Sequence, residues 1–514
     1  MTVAVRLEGT SARRGAALAV ADTGGELTHA EFTERAARVA AFLRDHDVTG
    51  GDRVGIHLGN SADFLAILVG VWRAGAVAVP FNVAVSGGAL RHAVADSGAL
   101  IAFVDEVGAA RLAQHCPDQP MVRRTVLVGG ADSVDVRAGA AWSFADVEAT
   151  APCDEIVPRA GSDDAILMYT SGSTGTPKGV RQTHRNVEAA VDATIAVWSL
   201  GDEDRAVVCT PFFHVGGLQL VALPMLLCGG SIYVLGAWSA GGWRRAVARW
   251  AATYTALVPT MVVDVVNEFG DAPVDLSCVR VCAIGGSVLP TDPVRRFVAA
   301  TGVRSAVNIY GQTEQSGLAV CERPGEQDLP TSLGRPLDIV RWRLVEPETG
   351  REVTDLPGRI GELQVAGDAV TPGYWRLPEV DAERFVDGWF RTGDLLQRVG
   401  DELDYVERID ELIVTGGENV YPQMVENALA SCPDIAEVAV IGTPHERWMQ
   451  QVTAIVVPRT DAVTVESVRD YSAAHPDLRG PARPRRIEFV DALPRTGNNK
   501  IDRPALKRRF GGGR

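Results

Sequence analysis

Apolar residues along this chain fall into two patterns. "HAEFTERAARVAAFLRDH" carries them at the three-and-four spacing of an amphipathic helix, "RVGIHL" is a short apolar strand, "SADFLAILVGVWRAG" is a longer apolar helix and "AVAVPF" is a strand again. This alternation, from about residue 27 to 130, predicts a mostly parallel sheet with helices on its faces. Residues 130–163 read as loop-rich; "AILMYT" then reads as a buried strand, and "AVVCT", "SIYVLG", "YTALV", "RVCAIGG" and "SAVNIYG" continue the rhythm. After about residue 330 the pattern changes to the antiparallel-looking strands "RWRLVEP" and "GELQVAG". Beyond "YVERIDELIVTGGENVYP" come a helix, two strands ("EVAVIG", "VTAIVVP"), another helix and the tail, together a domain of about a hundred residues. The predicted hinge is Arg408 to Glu411, which divides the chain into 1–408 and 409–514. A chain of 514 residues is in any case too long for one ordinary core.

The uncharged stretch Val215–Trp243 would attract a hydropathy scan, but Pro224, the pair Gly229-Gly230 and Ser231 divide it into a short helix and a strand, so no membrane span is expected. The start, "MTVAVRLEGTSARRG", lacks the apolar core of a signal peptide. A net charge of −15 argues against non-specific nucleic-acid binding and gives no hint of an anionic membrane partner. Eight scattered cysteines, with no nearby histidines at the pair Cys278 and Cys282, read as structural thiols in a reducing cytoplasm. Nothing here requires a homodimer, and nothing opposes one.

Of 50 basic residues only Lys178, Lys500 and Lys507 are lysines. Where arginine is the habit, lysine points to a need for a compact ammonium. Lys507, in "LKRRF", reads as surface. Lys178 lies in "YTSGSTGTPKGV", a run of small and hydroxyl residues directly after a buried strand. Such a chain brings several backbone N–H groups towards one point, an arrangement that phosphate oxygens reward. It lacks the Walker pattern, since no Ser or Thr follows Lys178, and the nucleophile-elbow pattern, since Ser171 stands where the first glycine would.

Four further segments follow in order: "PFFHVGG" (211–217), "NIYGQTE" (308–314), "GWFRTGD" (388–394) and "PRTGNNKIDR" (494–503). With the glycine-rich loop they resemble the motifs of the adenylate-forming (AMP-binding) superfamily, in its acyl- and aryl-CoA synthetase branch, and look like benzoate-type CoA ligases. The resemblance covers nearly the whole chain. It implies a multidomain α/β fold: a large N-terminal domain of helix-flanked sheets plus a distorted β-barrel, and a small mobile α+β C-terminal domain. It implies ATP, Mg2+ and coenzyme A, and a carboxylic acid activated as its adenylate and then joined to the thiol. Thr170, Ser171, Gly172, Ser173, Thr174 and Gly175 would cradle the β- and γ-phosphates with Lys178 nearby; Gly286, Ser287 and Gly311 would also contact the nucleotide. Thr313 would bond the α-phosphate, Glu314 would bind the metal, and Tyr310 would stack on adenine. Asp394 and Arg408 would hold the ribose, and Lys500 would bridge the carboxylate and α-phosphate. Outside these motifs a lone Glu is solvated, a strand-end Tyr is core and a tail Lys is exposed. Asn499 departs from the glycine common before the catalytic lysine, as some benzoate-type ligases also do.

For the acceptor, Gly416 and Gly417 resemble the glycines that let pantetheine pass, and "ERWMQ" sets Arg447 and Trp448 where benzoate-type ligases place a tryptophan against CoA. "RPRR" offers Arg483, Arg485 and Arg486 to CoA phosphates, or is a solvated patch with Trp448 simply packed. Asp410 matches the hinge about which the C-terminal domain turns between half-reactions. By the same resemblance the acyl pocket is lined by His214, Val215, Gly216, Gly285, Ile309, Gly311, Ser316 and Gly317, with Thr260 close by. That set has room and no basic residue for a second carboxylate, which favours an apolar aromatic or medium-chain monocarboxylate. A carrier protein or other nucleophile as acceptor, a luciferase-like oxygenase, and a non-catalytic nucleotide-binding protein are the competing readings.

Overall fold

A computed structural model describes residues 2–85, 87–129, 141–170, 176–270, 273–495 and 501–511. Contacts divide the chain into two compact units, one of Met1–Trp342 with Val365–Phe390 and one of Arg343–Gln364 with Arg391–Arg514. The fold is mixed α/β, with a large N-terminal part of sheets and helices and a smaller C-terminal part.

The first unit holds two sheets. One runs Trp142–Ser143, Thr125–Leu127, Ile101–Val104, Arg53–His57, Val77–Pro80, Asp164–Thr170 and Lys178–Thr183, parallel except for the last, antiparallel pair. The other runs Arg335–Pro336, Val320–Cys321, Ala306–Tyr310, Val281–Gly285, Tyr254–Leu257, Arg205–Val208, Ser231–Val234, Leu18–Asp22 and Gly25–Thr28. Its centre is parallel and its two ends antiparallel. Val77–Pro80, Ile101–Val104, Tyr254–Leu257 and Val281–Gly285 are buried throughout, as strands covered by helices on both faces must be. Helix Ala62–Arg73 buries every residue but Asp63, and its Trp72 Nε1 donates to the carbonyl of Ala165 at 2.8 Å. The helix is thereby fixed to the strand that leads into the glycine-rich loop.

The uncharged stretch is helical from Val215 to Cys228 and then forms the strand Ser231–Val234. Ahead of Pro224 the helix widens to a π turn in which the Leu223 N–H reaches the Leu218 carbonyl. Among the described residues no helix is long and apolar enough to cross a membrane.

Three features lie beyond the sequence reading. Val3–Arg14 is a helix that buries Val3, Ala4, Leu7 and Thr10. The loop-rich region contains the strand Trp142–Ser143 and the helix Phe144–Ala149. The glycine-rich loop leads not directly to helix His184–Trp198 but to the strand Lys178–Thr183, paired antiparallel with Asp164–Thr170.

In the second unit, Trp389–Val399 pairs antiparallel with Glu402–Arg408. A further sheet runs Glu418–Val420, Ile413–Thr415, Met449–Pro458 and Ile435–His445, with Arg486–Phe489 parallel to Met449–Pro458. Helix Pro422–Ala430 packs Val425 and Leu429 against Val440, Val452 and Val456 of that sheet.

Candidate functional site

The strand pair Asp164–Thr170 and Lys178–Thr183 sets Thr170 opposite Lys178; Ser171 to Gly175 lie outside the described residues. Glu314 and Thr313 sit on the 3₁₀ turn Thr313–Gln315 beyond strand Ala306–Tyr310. A third segment joins them. Val180 pairs with Tyr374 as an antiparallel bridge, and Trp375 N donates to Gly179 O at 2.7 Å. Thr371 N donates to Glu314 O at 2.8 Å. The Tyr374 hydroxyl donates to Glu314 Oε1 at 2.7 Å, and Lys178 Nζ lies 5.9 Å from the centre of the Tyr374 ring. Burial, then the Glu314 charge, push the Tyr374 phenol well above its ordinary range, so it stays a donor. Further along the same strand, Gln182 Nε2 donates to Thr313 O at 2.8 Å and Gln219 Nε2 to Gln182 Oε1 at 2.6 Å. None of Tyr374, Gln182 or Gln219 was marked by the sequence.

Glu314 Oε2 accepts no hydrogen bond from a described residue, and no three His, Cys, Asp or Glu side chains converge among the described residues. A lone, half-buried carboxylate suits magnesium, which takes one or two carboxylates and fills its octahedron with phosphate oxygens and water.

Among the residues expected to line the acyl pocket, the chain doubles back so closely that a Cβ on Gly311 would lie 1.6 Å from Gly317 O, and Gly317 has φ +117°. Only glycine fits either position. A Cβ at Gly317 would have Gln219 and Val215 as neighbours at 3.9 Å, and one at Gly216 would meet nothing within 4 Å. Gly285 differs: its Cβ would run into Ile309 at 2.4 Å, so a side chain there disturbs the sheet before it narrows any space. A Cβ on Gly286, which sits at φ +90°, would lie 3.7 Å from Val258, and Ser287 beside it is exposed. His214 caps the turn Val215–Gly217, its ring 4.8 Å from that of Phe213, and Thr260 is the second residue of helix Pro259–Phe269.

In the second unit Asp394 and Arg408 are direct cross-strand partners. Arg408 Nη1 donates to Asp394 Oδ1 at 3.0 Å and Nε to Asp410 Oδ1 at 3.1 Å. Asp410 lies on the 3₁₀ turn Ile409–Glu411. Downstream, Arg503 pairs with Glu411 at 2.9 Å and with both oxygens of Glu426 at 2.7 and 2.9 Å. Lys500, with 496–499, lies outside the described residues, but its flanks Arg495 and Ile501 face each other as an antiparallel bridge.

Glu407, buried beside this turn, accepts from Arg408 N at 3.0 Å and from Gln423 N at 2.7 Å. Burial outweighs these bonds and the attraction of Arg503, and pushes its carboxyl up to about 7. Because the folded carboxyl holds its proton more tightly than the unfolded one, its contribution is full below about 4.5 and is lost as pH rises through about 7. At 1.36 kcal/mol per unit the span amounts to about 3 kcal/mol. Glu407→Gln is therefore expected to remove a fall in stability between pH 5 and 7.5 (~) that the parent shows, read as urea midpoints across that range.

Gly416 and Gly417, at φ +62° and +85°, form the two-residue turn of the hairpin Ile413–Thr415 and Glu418–Val420. Two successive positive φ values define a turn that favours glycine whatever passes beside it. Gly416 N donates to Trp448 O at 3.1 Å. The Trp448 ring stacks on His445 with centroids 4.2 Å apart, and the Arg485 guanidinium lies 3.7 Å from its centre, with Arg447 at 5.7 Å. The other arginines diverge. Arg483 donates to the carbonyls of Ala473 and Leu478, and Arg486 donates to Glu488 and to the Phe510 carbonyl. Of "RPRR", only Arg485 joins Trp448.

The model of the AMP-binding enzyme family matches residues 7–375, and that of the AMP-binding enzyme C-terminal domain matches 424–500. A feruloyl-CoA synthase of Amycolatopsis sp is 36% identical over 497 residues, 96% of each chain. The fatty acid–[acyl-carrier-protein] ligase ScoC of Streptomyces coeruleorubidus is 32% identical, over 96% of this chain and 93% of its own. The crystal structure of ATP-bound MatB from Rhodopseudomonas palustris superposes with a TM-score of 0.89 at 26% identity, over 99% of each chain.

Proposed function

The chain belongs to the AMP-binding enzyme family, and we propose that it is an AMP-forming acid–thiol ligase working in two half-reactions. In the first, a carboxylate oxygen bonds to the α-phosphorus of ATP while the bond to pyrophosphate breaks. In the second, the thiol sulfur of coenzyme A bonds to the acyl carbon, the acyl–AMP bond breaks, and the thiol proton leaves to solvent. Magnesium, when bound, neutralises charge on the phosphates. Glu314 is the residue for it, Lys178 and the loop from Thr170 to Gly175 take the phosphates, and Lys500 meets the charge that develops between acid and α-phosphate.

The observation that carries this reading is the meeting of Lys178 and Glu314 at Tyr374, which joins a compact cation and a lone carboxylate at the end of the glycine-rich strand pair. The acid is read as an apolar aromatic or medium-chain monocarboxylate. The similarity to a feruloyl-CoA synthase supports it, as does the absence of lysine and arginine from the residues assigned to the pocket. Coenzyme A as acceptor is supported by the grouping of Gly416, Trp448 and Arg485. The likeness to ScoC supports a second acceptor, an acyl-carrier protein. Residues 1–408 would hold the acid and nucleotide and 409–514 would carry Lys500 about a pivot at Asp410. Eight free thiols support a reducing, cytoplasmic setting.

The test is a panel of carboxylic acids scored for pyrophosphate release and for thioester, with coenzyme A, with carrier protein, and with neither. Acid-dependent release in all arms, with thioester only where coenzyme A is present, is the expected result. Thioester only on the carrier would move the acceptor to the second reading, and no acid-dependent release would sink both.

A further inference from the structure

Tyr374 touches both charged groups assigned to the phosphate end of the site, although 60 residues separate it from Glu314. Its hydroxyl donates to Glu314 Oε1 at 2.7 Å, and its ring centre lies 5.9 Å from Lys178 Nζ, within cation–π range. The guanidinium of Arg384 reaches the same hydroxyl. The segment is held on its own account. Tyr374 N donates to Asp381 Oδ1 at 2.8 Å, and Gly373 O accepts from Arg181 N at 3.2 Å. The phenol is therefore presented to Glu314 by a backbone held without the Glu314 side chain. A ring kept only to fill space would need neither contact, since phenylalanine has the same packing surface and no donor.

We propose that Tyr374 is a positioning residue for adenylation: its hydroxyl orients the Glu314 carboxylate towards the divalent cation and its ring face steadies the Lys178 ammonium. One Glu314 oxygen is committed to the phenol, which fixes the direction of the other. Partners that orient a metal-binding carboxylate in this way are worth about 10- to 100-fold in metal affinity. The proposal rests on the assignment of Glu314 to the cation and of Lys178 to the phosphates.

The test compares Tyr374→Phe, which deletes only the hydroxyl, with Glu314→Gln. The primary readout is the Mn2+ dissociation constant, by electron paramagnetic resonance on gel-filtered protein with an α,β-methylene analogue of ATP that cannot be cleaved. Tyr374→Phe should raise it about tenfold, and the Mg2+ concentration for half-maximal pyrophosphate release should rise in parallel, while the KM for the acid stays within about twofold. Tyr374→Leu should also weaken binding of the analogue, because Lys178 loses its ring. If Glu314→Gln raises the Mn2+ constant and Tyr374→Phe leaves it at the parent value, the positioning role is refuted and the metal assignment stands. If neither variant moves it, both fall. Measuring the folded fraction keeps a simple loss of stability from imitating the expected shift.

Discussion

Lys500→Ala should abolish acid-dependent pyrophosphate release, by on the order of a thousandfold, while thioester formation from supplied acyl-adenylate stays within about threefold of the parent. The asymmetry follows from the proposed role: charge builds between carboxylate and α-phosphate only in the first half-reaction. The fold should tolerate the change, because the flanks hold without the lysine. Arg495 and Ile501 are bridged, Arg495 pairs with Glu437 at 3.1 Å, and Asp502 accepts from Ala505 N at 2.8 Å to start helix Arg503–Phe510. Lys500→Arg should fail nearly as badly, since a planar fork cannot replace a point charge between two anions. Loss of both half-reactions in Lys500→Ala would show that the lysine is not specific to adenylation.

Asp410→Pro should cut thioester formation from supplied acyl-adenylate and coenzyme A by about a hundredfold or more, and pyrophosphate release far less. Proline fixes φ at about −65° and restricts the preceding Ile409, so a segment proposed to change its dihedrals would keep one set. About 3 kcal/mol of strain in the second conformer suffices for the factor. The substitution also removes a carboxylate that binds Arg408 Nε at 3.1 Å, and Arg408 in turn binds Asp394. Asp410→Ala makes the same deletion without the ring and serves as the reference. The pivot is supported if proline is at least tenfold (~) worse than alanine in the second half-reaction alone. Equal losses in the two variants would assign the effect to the Arg408 contact and leave no pivot at Asp410.

The helix-covered sheets were legible because strands buried on both faces, such as Ile101–Val104 and Val281–Gly285, appear as unbroken apolar runs. Lys178–Thr183 was not, because "KGVRQT" is an edge strand with two cations, and its pairing depends on a neighbour across the glycine-rich loop. Motif residues could be found by order along the chain. Tyr374, Gln182 and Gln219 could not, since their importance lies in contacts 60, 131 and 37 residues away. Adjacency in sequence also misled: Arg483, Arg485 and Arg486 look like one patch, but two are spent on carbonyls and on Glu488, and one covers Trp448. The glycine pair 416–417 was visible as a singular spot, yet its backbone reason, a hairpin turn with both φ positive, needs no ligand.

Glu411 is the first residue after Asp410, and Arg503 is the third after Lys500; they are bonded to each other at 2.9 Å, and Arg503 is fastened again to Glu426. The chain between them is thus short-circuited, which ties the turn Ile409–Glu411 to the start of helix Arg503–Phe510. On the proposed pivot at Asp410, the start of helix Arg503–Phe510 would therefore travel with the turn Ile409–Glu411 rather than after it.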